Sequence, residues 1–132
     1  MAIVASSLTS SQSTVNGTAF TTAAVNPAAS SLVLVFVHFV QNVAGAYMDG
    51  AITCVGNTIT YIPIATAVHN NWDTTVSHRL VCFAGMSATP TNTTIVLTTN
   101  LTMTAAAWGV IEVTGVDTTT QKGFKGYGAI RQ

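Results

Sequence analysis

The segment Ser31-Leu-Val-Leu-Val-Phe-Val-His-Phe-Val-Gln41 decides the fold class, because it is the most apolar run in the chain. Its β-branched and aromatic residues fit a pleated strand and fit a helix poorly. Apolar side chains occupy both alternating positions, which predicts a central strand covered on both faces. The run is about half as long as a membrane-spanning helix and contains His38, so we interpret it as a buried strand.

Short segments rich in threonine and valine flank this run on both sides and are separated by turn signals. Asn16-Gly17 and Gly56-Asn57 are typical turn dipeptides. Pro63 lies inside an extended segment and cannot donate a ladder hydrogen bond, which predicts an edge strand or a bulge. No stretch shows the period of an amphipathic helix. The sequence therefore predicts an all-β fold, an antiparallel β-sandwich resembling a jelly roll with about eight short strands.

The length of 132 residues suits one domain that is large enough to bury a core. No linker or shift in composition divides the chain. We expect residues 18–117 to form the sandwich, residues 1–17 an N-terminal arm or edge strand, and residues 118–132 a C-terminal strand or arm. The N-terminus lacks the basic region and the long apolar stretch of a signal peptide.

Charge is scarce: 6% of the residues are charged and the formal net charge is zero, whereas about a quarter of residues are charged in a typical domain. Proteins that stay apart in solution generally keep their net charge away from zero. A neutral surface rich in threonine, alanine and serine therefore favours a protein that packs against neighbouring subunits. Four basic residues make a poor surface for phosphates, so no nucleic-acid partner is expected, and no membrane partner either.

Recognisable catalytic and metal-binding patterns are missing from the sequence. His38, His69 and His78 have no cysteine or acid nearby at ligand spacing, so no metal site is expected. The chain has no G-x-S-x-G elbow and no glycine-rich phosphate loop. Its four acidic residues show no pairing of the kind that glycosidases use. We expect no enzymatic activity, no catalytic residues and no cofactor.

Glu112 and the two cysteines need a structural explanation. Glu112 lies in an apolar strand, and a carboxylate buried alone is costly. Either it forms an ion pair with Arg79 that fixes strand register, or it faces solvent or an adjacent subunit. Cys54 and Cys82 can form a disulfide if their strands are neighbours, but buried free thiols are favoured because free cysteine is a common core residue.

Five blocks of sequence together resemble a β-sandwich module of tailed-phage virion proteins and phage-like genomic regions, over roughly residues 18–132. The most specific block is Ala107-Trp-Gly-Val-Ile-Glu-Val-Thr-Gly-Val-Asp-Thr118. The others are Ser31-Leu-Val-Leu-Val35, Gly56-Asn-Thr-Ile-Thr-Tyr61, Arg79-Leu-Val-Cys-Phe83 and Gly128-Ala-Ile-Arg-Gln132. The resemblance implies a capsid decoration (cement) protein on the outer surface of the virion, assembled in the host cytoplasm. It implies a homotrimer that binds the major capsid protein and ties capsomers together, and it implies no catalytic residues.

Candidate interface residues follow from predicted loops and from the tail. Aromatic residues in loops anchor protein interfaces, and basic residues steer docking onto acidic patches. The candidates are Tyr47, Trp72, Lys122, Phe124, Lys125, Tyr127 and Arg131. Exposed loop aromatics also suit a sugar-stacking platform, so a carbohydrate-binding module of a tail fibre or secreted protein is the alternative. A subunit of an extracellular filament is a further one.

Overall fold

The structure is a computed structural model that describes residues 2–42, 50–70 and 76–116, the last two residues of the second range as backbone only. These ranges contain nine strands and no helix. Accordingly, no described helix is long and apolar enough to cross a membrane. The strands are β1 (Val4–Ser13), β2 (Gly17–Thr21), β3 (Leu32–Gln41), β4 (Ile52–Gly56), β5 (Ile59–Thr60), β6 (Ile62–Asn70), β7 (Ser77–Met86), β8 (Ile95–Met103) and β9 (Ala105–Thr114).

The strands pair in a nested, antiparallel order. β1 pairs with β9, β2 with β8 and β3 with β7, while β4 pairs with β8 and β5. The two sheets have the orders β1-β9-β3-β7-β6 and β2-β8-β4-β5. This order is that of a jelly roll, in which a long hairpin folds over so that the first strand lies beside the last. The predicted antiparallel sandwich is confirmed, with nine strands in the described ranges where about eight were expected.

The hydrophobic core lies between the two sheets. On β3 every second side chain, from Val33 to Phe39, is fully buried. The ring of Phe39 packs 5.7 Å from the ring of Phe20 on β2, which joins the two sheets. Each such side chain contributes roughly 1.5–3 kcal/mol by leaving water. The remaining core side chains are Val25, Cys54, Ile59, Val81, Phe83, Ile95, Leu97, Met103, Ala106, Trp108 and Val110.

β3 is the middle strand of the five-stranded sheet, as its apolar sequence predicted. The expected cover on both faces is wrong within the described ranges. Leu34 and His38 are only half-buried on the second face, and Phe36 is exposed. β3 contacts β7 and β9 within its own sheet and β8 across the core. Packing against the described strands therefore does not explain why the second face of β3 is apolar.

A tight turn at Asn57 and Thr58 joins β4 to β5. Both residues have positive φ values, 56° and 53°, as the turn of a two-residue hairpin requires. The Asn57 side chain is buried, and its Nδ2 lies 2.9, 2.7 and 3.0 Å from the carbonyl oxygens of Val25, Thr91 and Thr93. One amide group thereby holds two separate loops against this turn.

The chain changes sheets between β5 and β6. Tyr61 alone separates these strands, which belong to different sheets. β6 is an edge strand, and its register with β7 shifts between Pro63 and Ala65. The prediction that Pro63 marks an edge or a bulge is confirmed, because a residue without an N–H interrupts the ladder there.

Glu112 and Arg79 do not form the ion pair that the sequence suggested. Glu112 lies opposite Val33, and Arg79 lies opposite Phe39, near the other end of β3. With a rise of about 3.3 Å per residue, the two side chains start about 20 Å apart. Arg79 Nη1 instead donates to the carbonyl oxygen of Gly50. Since Glu112 is buried, the alternative of a solvent-facing carboxylate is also wrong.

Glu112 anchors the segment that precedes β3. Its Oε1 accepts hydrogen bonds from the amide of Ala28 and the hydroxyl of Ser31. These donors replace the water that burial removes from the carboxylate. Glu112 therefore ties β9 to the connection between β2 and β3 through these two hydrogen bonds.

The two cysteines are free and buried, as the sequence favoured. Cys54 is on β4 and Cys82 is on β7, in different sheets. Cys54 faces the core, whereas Cys82 lies opposite Phe36 on the other side of the five-stranded sheet. A disulfide between them is therefore excluded by the topology.

Candidate interaction surface

The five-stranded sheet has an apolar outer face, on the side away from the core. Side chains alternate between faces along a strand, and directly paired residues share a face. On β3 the outer positions are the even-numbered residues from Leu32 to Val40, and their partners on β7 and β9 complete the face. Its larger apolar residues are Leu32, Leu34, Phe36, Val40, Leu80, Met86, Ile111 and Val113.

Several of these side chains are open to solvent. The exposed fraction is 37% for Phe36, 49% for Leu80 and 41% for Ile62, which is the outer-face residue at the start of β6. Single exposed apolar residues are common on monomers, but several on adjacent strands of one face mark a contact surface. These three lie on β3, β7 and β6, which are neighbours in the sheet.

The outer face of the four-stranded sheet is different in chemistry. It carries mainly threonine, with Ala19, Val55 and Val96 as its apolar exceptions. Its polar members are Thr21, Thr53, Thr60, Thr98, Asn100 and Thr102. The chain therefore places a hydroxyl-rich surface on one side of the sandwich and an aliphatic surface on the other. An antiparallel sheet with one solvated face normally alternates apolar and polar residues, as β8 does and β3 does not.

Formal charge is kept away from the outer face of the five-stranded sheet. Arg79 and Glu112 are the only Lys, Arg, Asp or Glu residues within residues 2–42, 50–70 and 76–116. Both take register positions opposite core residues of β3. A partner that covers the outer face would desolvate no charge on the described residues, which removes the largest cost of burying a surface.

Two histidines meet on this outer face. Nε2 of His38 on β3 lies 3.1 Å from Nδ1 of His78 on β7. The ring planes differ by 3° and the centroids are 5.2 Å apart. Since the centroid distance exceeds the nitrogen distance by nearly two ring radii, the rings meet edge to edge and do not overlap face to face. Burial, and secondarily the neighbouring His78, lower the pKa of His38, which favours its neutral form.

The edge beside this face is formed by β1. This strand of ten residues is mostly exposed, and among the strands that the structure describes it pairs with β9 alone. Its one irregularity is a register shift between Ser7 and Thr9. Monomeric proteins usually protect a long edge strand with charges or proline, and β1 has neither. The edge is therefore able to accept another strand.

An open cleft of 420 Å³ lies where the chain changes sheets. It is lined mainly by Ile52, Cys54, Ile59, Tyr61, Pro63 and Phe83. Burial raises the pKa of the Cys54 thiol to about 12. Burial, followed by the nearby Cys54, also raises the pKa of the Tyr61 phenol. Neither group is activated as a nucleophile or base at neutral pH, because the protonated form of each is favoured.

The structure does not test the interface residues predicted from the sequence. All seven lie outside the described residues: Tyr47, Trp72, Lys122, Phe124, Lys125, Tyr127 and Arg131. The outer face and the histidine pair were not identified from the sequence. The sequence does contain a signal for the outer face, since β3 is apolar at both alternating positions, but this pattern by itself predicts burial on both sides.

Comparisons with protein-family models, curated proteins and solved structures find no match to this chain. The resemblance to a phage virion module therefore stays a prediction from the sequence.

Proposed function

We propose that this chain is a virion structural protein, a capsid decoration protein that binds the outer surface of an assembled shell. The outer face of the five-stranded sheet is the surface that docks. The observation that supports the proposal is the difference between the two outer faces, one rich in threonine and the other aliphatic around Phe36 and Leu80. The jelly-roll order of the strands agrees with it, because capsid proteins often use that fold.

The size of the outer face suits a protein partner. Five strands spaced about 4.8 Å apart, each of about ten residues rising about 3.3 Å, cover roughly 800 Å². The area of this plane is comparable to the share of about 800 Å² that one partner contributes to an interface of standard size, and Cys82 and Ala84 are the positions of the face that are already buried on β7. The partner in this proposal is the major capsid protein, and the chain itself assembles as a homotrimer.

A carbohydrate partner fits this face less well. Small-molecule sites are concave and combine apolar walls with a few convergent polar groups. The outer face is a sheet surface whose larger side chains are aliphatic, with Phe36 as its exposed aromatic among the described residues. Jelly rolls also occur in lectins, so the fold alone does not separate the two functions. The chemistry of the face favours protein docking.

The proposal is tested by adding the purified chain to shells of the virus that encodes it, prepared without this protein. Phe36→Lys places a charge on the outer face, and Thr98→Lys places the same charge on the exposed threonine face of the other sheet. We expect the wild-type chain and Thr98→Lys to sediment with the shells. We expect Phe36→Lys to lose at least tenfold in affinity, because the lysine would have to be desolvated.

Circular dichroism and thermal melting check that both variants are folded. Light scattering gives the oligomeric state, which we expect to be a closed trimer and not an open-ended filament. Failure of the wild-type chain to bind shells, or equal binding by Phe36→Lys, contradicts the proposal. Binding in a glycan screen without shell binding supports the carbohydrate alternative.

A further inference from the structure

The dipeptide Asn16-Gly17 lies where the chain passes from β1 to β2. Such a dipeptide is typical of a type I′ hairpin turn, in which both central residues have positive φ. In this structure neither Asn16 nor Gly17 has a positive φ. The two strands that they connect belong to different sheets and do not pair with each other. Hairpin geometry therefore does not explain the dipeptide.

Packing does not require a glycine at position 17 either. A Cβ at Gly17 would meet nothing closer than the carbonyl oxygen of Ala19 at 3.6 Å, which is an ordinary van der Waals contact. Gly115 is different, because its φ is +76° and a Cβ there would overlap the backbone of Ala2. Since position 17 would accept a side chain, what its glycine contributes is a backbone nitrogen that no side chain shields.

We propose that Asn16 is a site of spontaneous deamidation, at which this chain gains a negative charge as it ages. The backbone nitrogen of Gly17 attacks Cγ of Asn16 and closes a five-membered succinimide ring. The side-chain nitrogen leaves as ammonia and takes up the hydrogen that the Gly17 nitrogen loses. Water then opens the ring at one of its two carbonyl groups. The reaction consumes one water, releases one ammonia and leaves an aspartyl or isoaspartyl residue at position 16.

The surroundings of Asn16 suit both steps of this reaction. Asn16 is exposed, and it lines an open cleft of 230 Å³ beside Ser13 and Trp108, so water reaches the ring. The side-chain hydrogen bond within this connection joins the amide of Val15 to the hydroxyl of Ser13. It does not include the side chain of Asn16, which can therefore turn toward the nitrogen of Gly17.

The other asparagines of the chain are less suited to the reaction. Asn16 is the only one followed by glycine, so a side chain hinders the attacking nitrogen at every other position. Asn26 precedes Pro27, whose nitrogen has no hydrogen to lose. Asn57 is buried, and its Nδ2 lies 2.7–3.0 Å from three carbonyl oxygens. The sequence and the structure together therefore favour a single site.

Conversion of Asn16 would change the charge of a segment that otherwise has none. The first acidic or basic residue of the chain, apart from histidine, is Asp49. The formal net charge is zero, so one added carboxylate makes it −1. An isoaspartyl product also lengthens the backbone by one methylene immediately before β2. This inference does not depend on the proposed function, because deamidation needs only the chain and water.

The site is tested by incubating the full wild-type chain in H₂¹⁸O at pH 8.5 and 37 °C, followed by anion-exchange chromatography and peptide mapping by mass spectrometry. We expect an acidic species that carries one ¹⁸O at position 16. It should form more slowly at pH 6, because the attacking nitrogen must lose its proton. Gly17→Ala is the matched variant: it should slow the conversion at least tenfold and melt like the wild type, since its methyl group fits.

The same chain unfolded in urea gives the rate that the dipeptide has without the fold. Absence of conversion in the folded chain overturns the proposal, and conversion in the unfolded chain alone would show that the fold holds Asn16 away from the nitrogen of Gly17. Equal rates for Gly17→Ala and the wild type overturn the role given to the glycine. Acidic species that persist in Asn16→Gln overturn the assignment to this position.

Discussion

The hydroxyl of Ser31 lies 2.8 Å from Oε1 of Glu112, across 81 positions of sequence. The same carboxylate oxygen accepts the amide hydrogen of Ala28. Both donors belong to the connection that leads into β3, and the acceptor belongs to β9. The contact therefore fixes where the central strand begins relative to the last strand of the chain.

Replacing Glu112 should destabilise the fold through these two hydrogen bonds. We expect Glu112→Ala to lower the free energy of unfolding by about 2–4 kcal/mol, because the buried hydroxyl of Ser31 and the partly buried amide hydrogen bond of Ala28 each lose their carboxylate acceptor. Ser31→Ala removes one donor and should cost about 1 kcal/mol. Urea denaturation followed by circular dichroism measures both. Arg79→Ala provides the control. In the double variant, the losses of stability from Arg79→Ala and Glu112→Ala should add within about 0.5 kcal/mol. A larger coupling energy would show that the two residues form the ion pair that the strand register excludes.

Asn57 should be one of the most sensitive polar positions. Asn57→Asp replaces the donor nitrogen with an acceptor facing the carbonyl oxygens of Val25, Thr91 and Thr93, so we expect a loss of more than 3 kcal/mol. Asn57→Gly keeps the positive φ without strain and loses only the amide group, whereas Asn57→Ala adds about 1 kcal/mol of backbone strain. The order of stability should be wild type, Gly, Ala, Asp. Equal stability of Asn57→Asp and wild type contradicts the anchoring role.

Gly85 and Gly109 form a matched pair within the five-stranded sheet. A Cβ at Gly85 would overlap Ile59 Cγ2 and come within 2.8 Å of the Thr60 carbonyl oxygen, whereas a Cβ at Gly109 would meet nothing within 4 Å. Gly85→Ala should therefore cost at least about 2 kcal/mol, because backbone must move. Gly109→Ala should be neutral or slightly stabilising. Thermal melting of the two variants decides the matter, and similar melting temperatures would show that β5 does not approach β7 this closely.

The stability of the fold should decrease at alkaline pH because of Cys54. Burial raises the pKa of Cys54 from 9.0 to about 12, so the unfolded chain loses the thiol proton before the folded chain does. The stabilisation is complete below pH 9 and is lost between pH 9 and 12. This is tested by measuring the melting temperatures of the wild type and Cys54→Ala at pH 7, 9 and 10.5. For each protein the decrease in melting temperature is calculated relative to its own value at pH 7. Cys54→Ala should show the smaller decrease, and an equal decrease in both proteins would assign the alkaline loss to other groups.

The local features of this fold were predictable from the sequence because they depend on neighbouring residues. The apolar, β-branched run of β3 and the alternation along β8 identify strands, Gly56-Asn57 identifies a turn, and Pro63 identifies a bulge on an edge. The burial of free cysteines follows from residue type. The candidate surface was predictable only in part. The sequence shows that the second face of β3 is apolar, but the pattern does not show whether the same chain or a partner covers that face.

The sequence by itself determined that this chain forms strands, where the central strand lies and how little charge its surface carries, since side-chain shape and alternation act within a few residues. Only the tertiary structure decided that the first strand lies beside the last, that Glu112 holds Ser31 and not Arg79, and that His38 meets His78. Such contacts join residues distant along the chain through strand pairing. Many registers are compatible with the same alternating pattern, and packing of the whole core selects one of them.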